Sequence, residues 1–186
     1  MSPLQFAIAP TAIGAFGVVW SETGIVRTWL HDRTDEGTRR NILRRFPQAK
    51  AATPPPAVAV AMADVVGLLV GDGRIARGPL DMTGLPEFDR QVYELARTIP
   101  PGETLTYGAV AEALVEAPMR ARDVGQALAR NPFAPIVPCH RVVAANGRLG
   151  GYSAPGGAST KRRLLELEGA AIVAPQPLQT GLFDNH

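Results

Sequence analysis

The stretch ARNPFAPIVPCHRVV, residues 129–143, decides how the chain is interpreted, because it joins a predicted helix end to a pair of reactive side chains. Asn131 and Pro132 end the preceding helix, since proline cannot continue one. Cys139 is the only cysteine among 186 residues, and it stands beside His140, one of three histidines. A thiol is intrinsically nucleophilic, and an imidazole can accept its proton. This pair is the candidate reactive centre.

Cys139 and His140 also have a purely structural interpretation. Adjacent residues of an extended segment point to opposite sides, so the two cannot pair unless the backbone turns or a water bridges them. Pro138 restricts the residue before it and can shape such a bend. Without a bend, Cys139 is an inert buried thiol in an apolar strand, IVPC. With one, a carboxylate should orient the imidazole, and Glu166 and Glu168 are the candidates.

The segment before this stretch predicts two short helices with a tight connection. Thr106 can cap a helix over about 107–115, which Pro118 breaks, and a second helix follows over 119–130. Two helices joined in this way favour a helix-turn-helix. The apolar residues of the second helix predict its buried face: Val124, Ala127 and Leu128. Its opposite face combines small residues with one long cation: Arg122, Gly125, Gln126 and Ala129.

The rest of the chain predicts an α/β first half and a helical end. GAFGVVW and GIVRTWL, joined through SETG, predict a β-hairpin, and helices are expected over 35–46 and from TPPP to Gly71. PEFDRQVYELARTI predicts a helix that Pro100, Pro101 and Gly102 end. A glycine-rich loop reaches Gly157, and Ser159 or Thr160 is expected to cap a final helix ending near Gly169.

These elements predict a two-domain organisation. We expect an α/β N-terminal scaffold domain with a small sheet over residues 1–80, and a mainly α C-terminal domain over 84–172. Residues 173–186 have little periodicity and are expected to form a flexible tail.

The charges are unevenly placed although the net charge is only +2. Between Pro118 and Arg163 eight basic residues face a single acidic one, Asp123: Arg120, Arg122, Arg130, Arg141, Arg148, Lys161, Arg162 and Arg163. A local basic patch favours an anionic partner, most commonly nucleic acid, although a plain solvated basic face gives the same pattern.

Several classes of protein and site are excluded at this level. The apolar N-terminus lacks a basic residue ahead of it and contains Pro3 and Pro10, so it does not predict a signal peptide. No apolar run approaches the roughly 18 residues of a membrane span. One cysteine, with His31 and His186 far from it in sequence, predicts neither a disulfide nor a metal site. We expect a soluble cytoplasmic protein without a cofactor, associated with the nucleoid if it is bacterial.

Several motifs of the second half resemble those of one known protein family. PCHRVV, preceded by ARNPFAPIV and followed by NGRLGGYS, closely resembles the O6-alkylguanine-DNA alkyltransferases. TYGAVA, the helix-turn-helix, PCHRV and LLELEG follow in the family's order over about 84–169, whereas the first half resembles the family's variable N-terminal domain only loosely. The resemblance implies a winged helix-turn-helix-like DNA-binding core. It also implies direct-reversal DNA repair, in which the alkyl group passes irreversibly from a flipped-out guanine to a cysteine.

The resemblance implies a role for each matching residue. Cys139 would be the nucleophile, His140 would act as base through a bound water, and Glu168 would orient His140. Asn131 would hydrogen-bond around the Cys139 segment, and Tyr107 would help to rotate the nucleotide and donate a hydrogen bond to guanine. The implied DNA-binding residues are Tyr107, Ala121, Arg122, Gly125 and Gln126. The implied alkylguanine pocket comprises Pro138, Val142, Tyr152 and Ser153.

Arg122 would fill the gap that the flipped nucleotide leaves. Asp123 departs from the small residue often found at its position, and a carboxylate near phosphates is unfavourable. The implied partner is duplex DNA containing O6-alkylguanine, and by extension O4-alkylthymine. A monomer is expected, with cooperative binding along DNA left open. Because the chain has no second cysteine to relieve the thioether, Cys139 would react once.

Two other classes of function fit parts of the sequence. A DNA-binding regulator that senses alkylation through Cys139 would use the same helix-turn-helix and basic patch. A cysteine hydrolase would use Cys139, His140 and Glu168, and its acyl-thioester would turn over, unlike an alkylated thiol.

Overall fold

The computed structural model describes residues 3–32, 34–114 and 121–171. Its first half contains four strands and two helices: β1 (Gln5–Thr11), β2 (Gly14–Trp20), β3 (Ile25–Asp32), α1 (Asp35–Arg45), β4 (Lys50–Ala51) and α2 (Pro56–Leu68). The strands form one sheet in the order β3-β2-β1-β4, antiparallel except for the short parallel pair β1–β4. The expected combination of a small sheet with helices is confirmed.

The predicted hairpin is β2–β3, and its turn closes with a hydrogen bond from Ser21 N to Gly24 O of 2.9 Å. The strand before it, β1, is not predicted by the sequence pattern, because Pro10 interrupts the apolar run. Proline is tolerated there because β4 pairs only with Gln5 and Phe6. No strand among the described residues therefore lies beside Pro10 on that side of β1.

The two helices of the first half cover opposite faces of the sheet. The predicted helix over 35–46 is α1, which places Ile42 against Phe6. A Cβ atom on Gly17 would lie only 2.6 Å from the Thr38 side chain, so this close approach of α1 to β2 requires glycine. On the other face α2 contributes to a larger core that continues into the C-terminal helices. The two halves therefore share one hydrophobic core.

The second half is mainly helical. Its elements are α3 (Glu87–Thr98), β5 (Leu105–Thr106), α4 (Tyr107–Ala113), α5 (Ala121–Ala129), a 3₁₀ turn (Cys139–Arg141), β6 (Val142–Val143), a second 3₁₀ turn (Ala145–Gly147) and α6 (Gly157–Leu167). β5 and β6 form a short parallel pair. The predicted cap of α4 is confirmed, since Thr106 Oγ1 accepts a hydrogen bond from Ala109 N at 3.0 Å. The predicted buried face of α5 is also confirmed.

The start of the last helix differs from the sequence prediction. The cap assigned to Ser159 or Thr160 is wrong, because α6 begins two to three residues earlier, after Gly156 with φ +84°. Both hydroxyls lie inside the helix and donate to the carbonyls of Gly156 and Pro155, at 2.6 and 2.7 Å. The predicted connection between α4 and α5, including Pro118, lies outside the described residues, as does the predicted tail 173–186.

The edge strand β3 attaches the sheet to the segment that leads to Cys139. Thr28 N donates to Pro132 O at 2.8 Å, and Thr28 Oγ1 donates to Ala134 O at 2.6 Å. These bonds fix the loop between α5 and the 3₁₀ turn against the N-terminal half. No helix in the described part of the chain has the length and apolar character needed to cross a bilayer.

An ion pair fixes the end of α5. The Asp89 carboxylate, 2% exposed, accepts hydrogen bonds from Arg130 Nε and Nη2 at 2.9 and 2.7 Å. The Tyr93 hydroxyl on the same helix, α3, donates to Ala127 O at 2.9 Å. The residue after Arg130 is Asn131, so α3 positions the segment that surrounds the candidate reactive centre.

Replacing Asp89 by Asn is expected to lower the free energy of unfolding by about 2 kcal/mol, because two charge-assisted hydrogen bonds to a buried carboxylate are lost. Glu87→Gln is the matched control, since Glu87 pairs with Arg90 on the exposed side of α3 and such pairs contribute about 0–1 kcal/mol. Urea denaturation of both variants measures the difference. Equal losses of unfolding free energy in the two variants would show that burial does not strengthen the ion pair of Asp89.

Candidate active site

The segment around Cys139 forms a turn. Cys139, His140 and Arg141 make one turn of 3₁₀ helix, closed by a hydrogen bond from Arg141 N to Pro138 O of 2.9 Å. The interpretation of IVPC as an extended strand is therefore wrong, and strand β6 begins only at Val142. The turn removes the objection that neighbours in a strand must point to opposite sides.

A buried ion cluster orients the imidazole. His140 Nε2 lies 2.9 Å from Glu168 Oε1, at the end of α6. Arg141 donates to the same carboxylate through Nε and Nη2, with distances down to 2.7 Å, and its Nη1 donates to Ile99 O at 2.5 Å. Of the two carboxylates proposed from the sequence, the structure places Glu168 against His140, while Glu166 is exposed.

The electrostatics of this cluster fix the protonation states. Burial alone would raise the pKa of Glu168, but hydrogen bonds from His140 and Arg141 outweigh it and hold the pKa at about 2. Burial lowers the pKa of His140, so the imidazole is neutral near pH 7. A carboxylate can only accept, so His140 carries its proton on Nε2. The other nitrogen, Nδ1, is buried and has no hydrogen-bond partner among the described residues.

Cys139 is 6% exposed and is held in its protonated form. Burial raises the pKa of the thiol, while a hydrogen bond from Asn131, the charge of Lys161 and the Tyr152 hydroxyl act in the opposite direction. The neighbouring imidazole does not increase the thiolate fraction in this state, because no direct hydrogen bond joins the thiol to His140. The thiol must lose its proton as it reacts.

Asn131 and Tyr152 lie around the thiol. The Asn131 side chain donates from Nδ2 to Val137 O at 3.0 Å and accepts from Phe133 N at 2.9 Å, which holds the turn in shape. The Tyr152 hydroxyl is buried without a partner at hydrogen-bond geometry among the described residues. It is nevertheless close to Cys139: burial, then the charge of an ionised Cys139, raise the pKa of Tyr152 well above its usual value.

Lys161 is a functional residue that the sequence reasoning missed. Its side chain is 0% exposed, and Nζ donates to Val142 O at 2.6 Å, to the Tyr107 hydroxyl at 3.3 Å and to Gly151 O at 3.4 Å. Burial lowers its pKa to about 8. A buried ammonium therefore links the core strand β6, the loop after it and Tyr107, close to the reactive thiol.

Helical spacing could have identified Lys161. Lys161, Leu164, Leu165 and Glu168 recur at intervals typical of one helix face, and the structure buries Lys161 on it with both leucines. The predicted basic patch is correspondingly smaller. Lys161 and Arg141 are buried, and Arg130 is paired with Asp89. Of the eight basic residues in the patch, Arg122, Arg130, Arg148 and Arg163 are exposed in the described part of the chain, and of these four Arg130 is paired with Asp89.

A cavity of about 550 Å³ opens above Cys139. Its walls combine four elements: α5, the start of α4, the 3₁₀ turn and the loop after β6. The lining residues are Tyr107, Ala121, Arg122, Gly125, Gln126, Leu128, Ala129, Cys139, Gly151, Tyr152 and Ser153. The structure thus brings together around one cavity the thiol, all five residues predicted to bind DNA, and two of the four predicted pocket residues.

The other two predicted pocket residues lie outside these walls. Pro138 lines a different cleft behind the turn, because the 3₁₀ turn directs it away from the cavity. Val142 is buried in β6, where its carbonyl accepts the hydrogen bond from Lys161. Elsewhere in the described ranges, no three His, Cys, Asp or Glu side chains converge on a point where a metal ion could bind.

Replacing Lys161 by Met is expected to slow any reaction of the Cys139 thiol several-fold, because loss of a neighbouring positive charge raises the pKa of the thiol further and reduces its thiolate fraction. Arg163→Met removes the same charge from an exposed position of α6 and is the control. Stopped-flow alkylation of each protein measures the rate. A Lys161→Met rate equal to that of the control would contradict the assigned role.

Comparison with known proteins gives a consistent result. The sequence profile of the DNA-binding domain of 6-O-methylguanine DNA methyltransferase matches residues 87–170. A methylated-DNA–protein-cysteine methyltransferase of Methanothermobacter thermautotrophicus is 34% identical over 157 residues, which cover 84% of this chain and 80% of that protein. The enzyme of the same name from Mycobacterium leprae is 54% identical over 89 residues, 48% of this chain and 52% of that protein.

Solved structures agree with the sequence matches. The crystal structure of Mycobacterium tuberculosis O6-methylguanine methyltransferase has a TM-score of 0.70 and 32% identity, covering 89% of this chain and 93% of that one. The structure of the M. tuberculosis protein in complex with DNA has a TM-score of 0.68 and 33% identity, covering 88% and 92%. The likeness extends over the sheet as well as the helical half.

Proposed function

The chain belongs to the methylated-DNA–protein-cysteine methyltransferase family, and from this premise we propose that it repairs duplex DNA by moving an alkyl group from guanine O6 to Cys139. The observation that carries the proposal is the shared cavity: the thiol forms its floor and α5 forms its rim. The reported relatives are named for methyl transfer from methylated DNA to a protein cysteine. None of these relatives is named as a hydrolase or a regulator.

We propose that α4 and α5 act as the helix-turn-helix of a winged DNA-binding core, with α5 as the recognition helix. Gly125 supports this role, since its small size brings the α5 backbone close to the cavity. A guanine alkyl group inside a duplex cannot reach a buried thiol, so the nucleotide must leave the stack, at a cost of a few kcal/mol. Arg122, exposed at the rim, would occupy the space that it leaves.

The transfer step balances without a cofactor. The Cys139 sulfur attacks the alkyl carbon, so an S–C bond forms as the C–O6 bond breaks. The thiol proton moves through a bound water to His140 Nδ1, the ring nitrogen left free by the Glu168 contact. The departing guanine anion then takes up one proton from the imidazolium by the same route, which restores neutral His140 and balances the protons. The ionised Glu168 stabilises the imidazolium that forms.

Tyr107 is suited to donate a hydrogen bond to the bound base. Burial raises the pKa of its hydroxyl, so it stays protonated, and Lys161 donates to its oxygen at 3.3 Å. A donor beside the departing guanine favours the transition state, in which negative charge develops on the base. Tyr152 and Ser153, on the loop after β6, would enclose the alkylguanine from the other side.

The chemistry makes the protein a single-use reagent. A thioether does not release its alkyl group to water, and the chain has no second cysteine to accept it. We also propose that residues 84–172 hold the whole reaction site and residues 1–80 support it, that the protein acts as a monomer, and that O4-alkylthymine is a further substrate.

The fate of the alkyl group tests the function. After incubation with a duplex containing O6-methylguanine, digestion of the DNA should show guanine in place of the lesion, without methanol in solution. Methanol released over repeated turnovers would instead support the hydrolase. A lesion that persists while the duplex is bound tightly would support the alkylation sensor. Either of these two results would overturn the proposal.

Replacing Arg122 by Ala is expected to slow repair of a lesion in duplex DNA by about tenfold or more, since the gap in the stack is no longer filled and each 1.4 kcal/mol is a factor of ten. The reaction with the free base O6-benzylguanine should be unchanged, because no nucleotide has to be flipped. Single-turnover rates with both substrates measure the effect. Equal slowing with both would contradict a role in base flipping.

A further inference from the structure

A second cleft adjoins the active-site cavity and joins the two halves of the chain. Its volume is about 340 Å³, and it shares Ala129 and Ser153 with the walls of the cavity above Cys139. From there it passes to Arg27 and Trp29 of β3 and to Asn41 of α1. The surface beside the reactive centre therefore continues from the recognition helix onto the N-terminal half.

This cleft carries positive charge. Of the described residues that line it none is acidic, and its two cations are Arg27 and Arg130. Arg130 is neutralised by Asp89, whereas Arg27 forms no ion pair with any residue that the structure describes. The guanidinium of Arg27 lies 5.4 Å from the centre of the Trp29 ring, which holds it in place.

A second arginine reinforces the charge. Burial, followed by the positive charge of Arg45, lowers the pKa of half-buried Arg27, so the two guanidinium groups are close enough to repel each other. Arg45 also lacks an ion pair within the described ranges, and its guanidinium lies 5.4 Å from the centre of the Phe46 ring. Arg27 lines the cleft beside the active-site cavity and Arg45 acts on it as a second cation, and two like charges that are not neutralised favour an anionic ligand.

The helix above the cleft continues the pattern. After its first turn, which contains Asp35 and Glu36, α1 carries only basic charged residues, and all four are exposed: Arg39, Arg40, Arg44 and Arg45. The basic patch recognised in the sequence of the C-terminal half does not include these residues. Arg39 lies over Phe6 in another pocket that Asp35 and Glu36 also line. Arg45 follows Asn41 by one helical turn and therefore lies on the side of α1 that faces the cleft.

We propose that the cleft at Arg27 and the adjoining basic face of α1 bind the phosphate backbone of the duplex on one side of the lesion. This inference rests on the proposed function and extends it, because it gives the N-terminal half a direct part in DNA binding. The phosphates would relieve the repulsion between Arg27 and Arg45. The stacking of Arg27 on Trp29 would reduce the entropy lost on binding.

Binding of duplex DNA by Arg27→Gln/Arg45→Gln tests the proposal. All DNA-binding measurements, of the variant and of its control, are made in a Cys139→Ser background, so that the complex does not react. Arg74→Gln/Arg77→Gln is the control of matched charge, since both arginines are exposed in the segment after α2. We expect the double variant to bind about tenfold more weakly near 0.1 M salt, with the slope of log K against log salt reduced by about 1 to 2. The control should bind like the parent.

The position of the lesion gives a second readout. Two duplexes are compared, one with flanking DNA only on the 5′ side of the lesion and the other with flanking DNA only on the 3′ side. The double variant should lose affinity for one of these duplexes and not for the other. An unchanged affinity and salt slope, an equal loss in Arg74→Gln/Arg77→Gln, or an equal loss with both duplexes would each overturn the proposal.

The reaction of O6-benzylguanine with the same substitutions, in proteins that retain Cys139, separates this proposal from the function itself. A free base has no phosphates, so its rate should not change. If Arg27→Gln slows this reaction, that substitution disturbs the fold. The test then uses the single variant Arg45→Gln, whose side chain is exposed, and its affinity for duplex DNA should fall several-fold. If the unsubstituted protein fails to repair the duplex at all, the proposed function fails independently of the cleft.

Discussion

Replacing Cys139 by Ser is expected to abolish alkyl transfer completely while leaving the duplex bound. The hydroxyl is a far weaker nucleophile than the thiol at the same position, and no other cysteine can substitute for it. The side chain is almost the same size, so the cavity of about 550 Å³ and the α5 surface should persist. Single-turnover assays and fluorescence anisotropy with a duplex containing O6-methylguanine measure the two properties separately.

The binding measurement makes this variant informative. Loss of both transfer and lesion binding would indicate a disturbed fold, which far-ultraviolet circular dichroism and thermal melting detect. Residual transfer by Cys139→Ser would mean that another group accepts the alkyl. That result would show that the Cys139 thiol is not the required alkyl acceptor.

Replacing Glu168 by Gln is expected to have the second largest effect. Repair should slow by about 100-fold or more, because His140 loses the anion that orients it and stabilises its charged form. The free energy of unfolding should fall by about 3 kcal/mol, since the buried Arg141 loses its counter-charge. Glu166→Gln, on the exposed side of α6, is the matched control and should change neither property.

The stability difference between wild type and Glu168→Gln should depend on pH in a defined direction. The folded-state pKa of Glu168 is lowered from 4.5 to about 2, so its ionised form stabilises the fold fully above pH 4.5. That contribution is lost as the pH falls towards 2. Denaturant titrations at several pH values should therefore show the difference shrinking on acidification. A difference that grows below pH 4.5 would contradict the assigned ion cluster.

The secondary structure that follows from local patterns could be read from the sequence. The hairpin β2–β3, helix α1 and the capped helix α4 depend on alternation, helical spacing and a cap, all of which are local. β1 was not predictable in this way, because its pairing with β2 and β4 is tertiary and Pro10 argues against a strand. The turn at Cys139 was only suggested, by Pro138.

The site could be predicted only in part, for a similar reason. The family motif identifies Cys139 and His140, but burial decides what charged residues do. Arg141 and Lys161 were counted as part of a DNA-facing basic patch, whereas the fold places them in the interior beside Glu168 and Tyr107. Their burial follows from the packing of α6 against the 3₁₀ turn and β6. No local sequence pattern specifies that packing uniquely.

Intact mass spectrometry of the protein, after reaction with an excess of duplex containing O6-methylguanine, tests whether Cys139 is the single-use alkyl acceptor. We expect a gain of one CH2 group per molecule, with no further increase at longer times, and peptide mapping should locate it on Cys139. Guanine should appear in the DNA in the same molar amount. An unchanged mass, a gain that exceeds one CH2, or a modification elsewhere in the chain would contradict single-use transfer to Cys139.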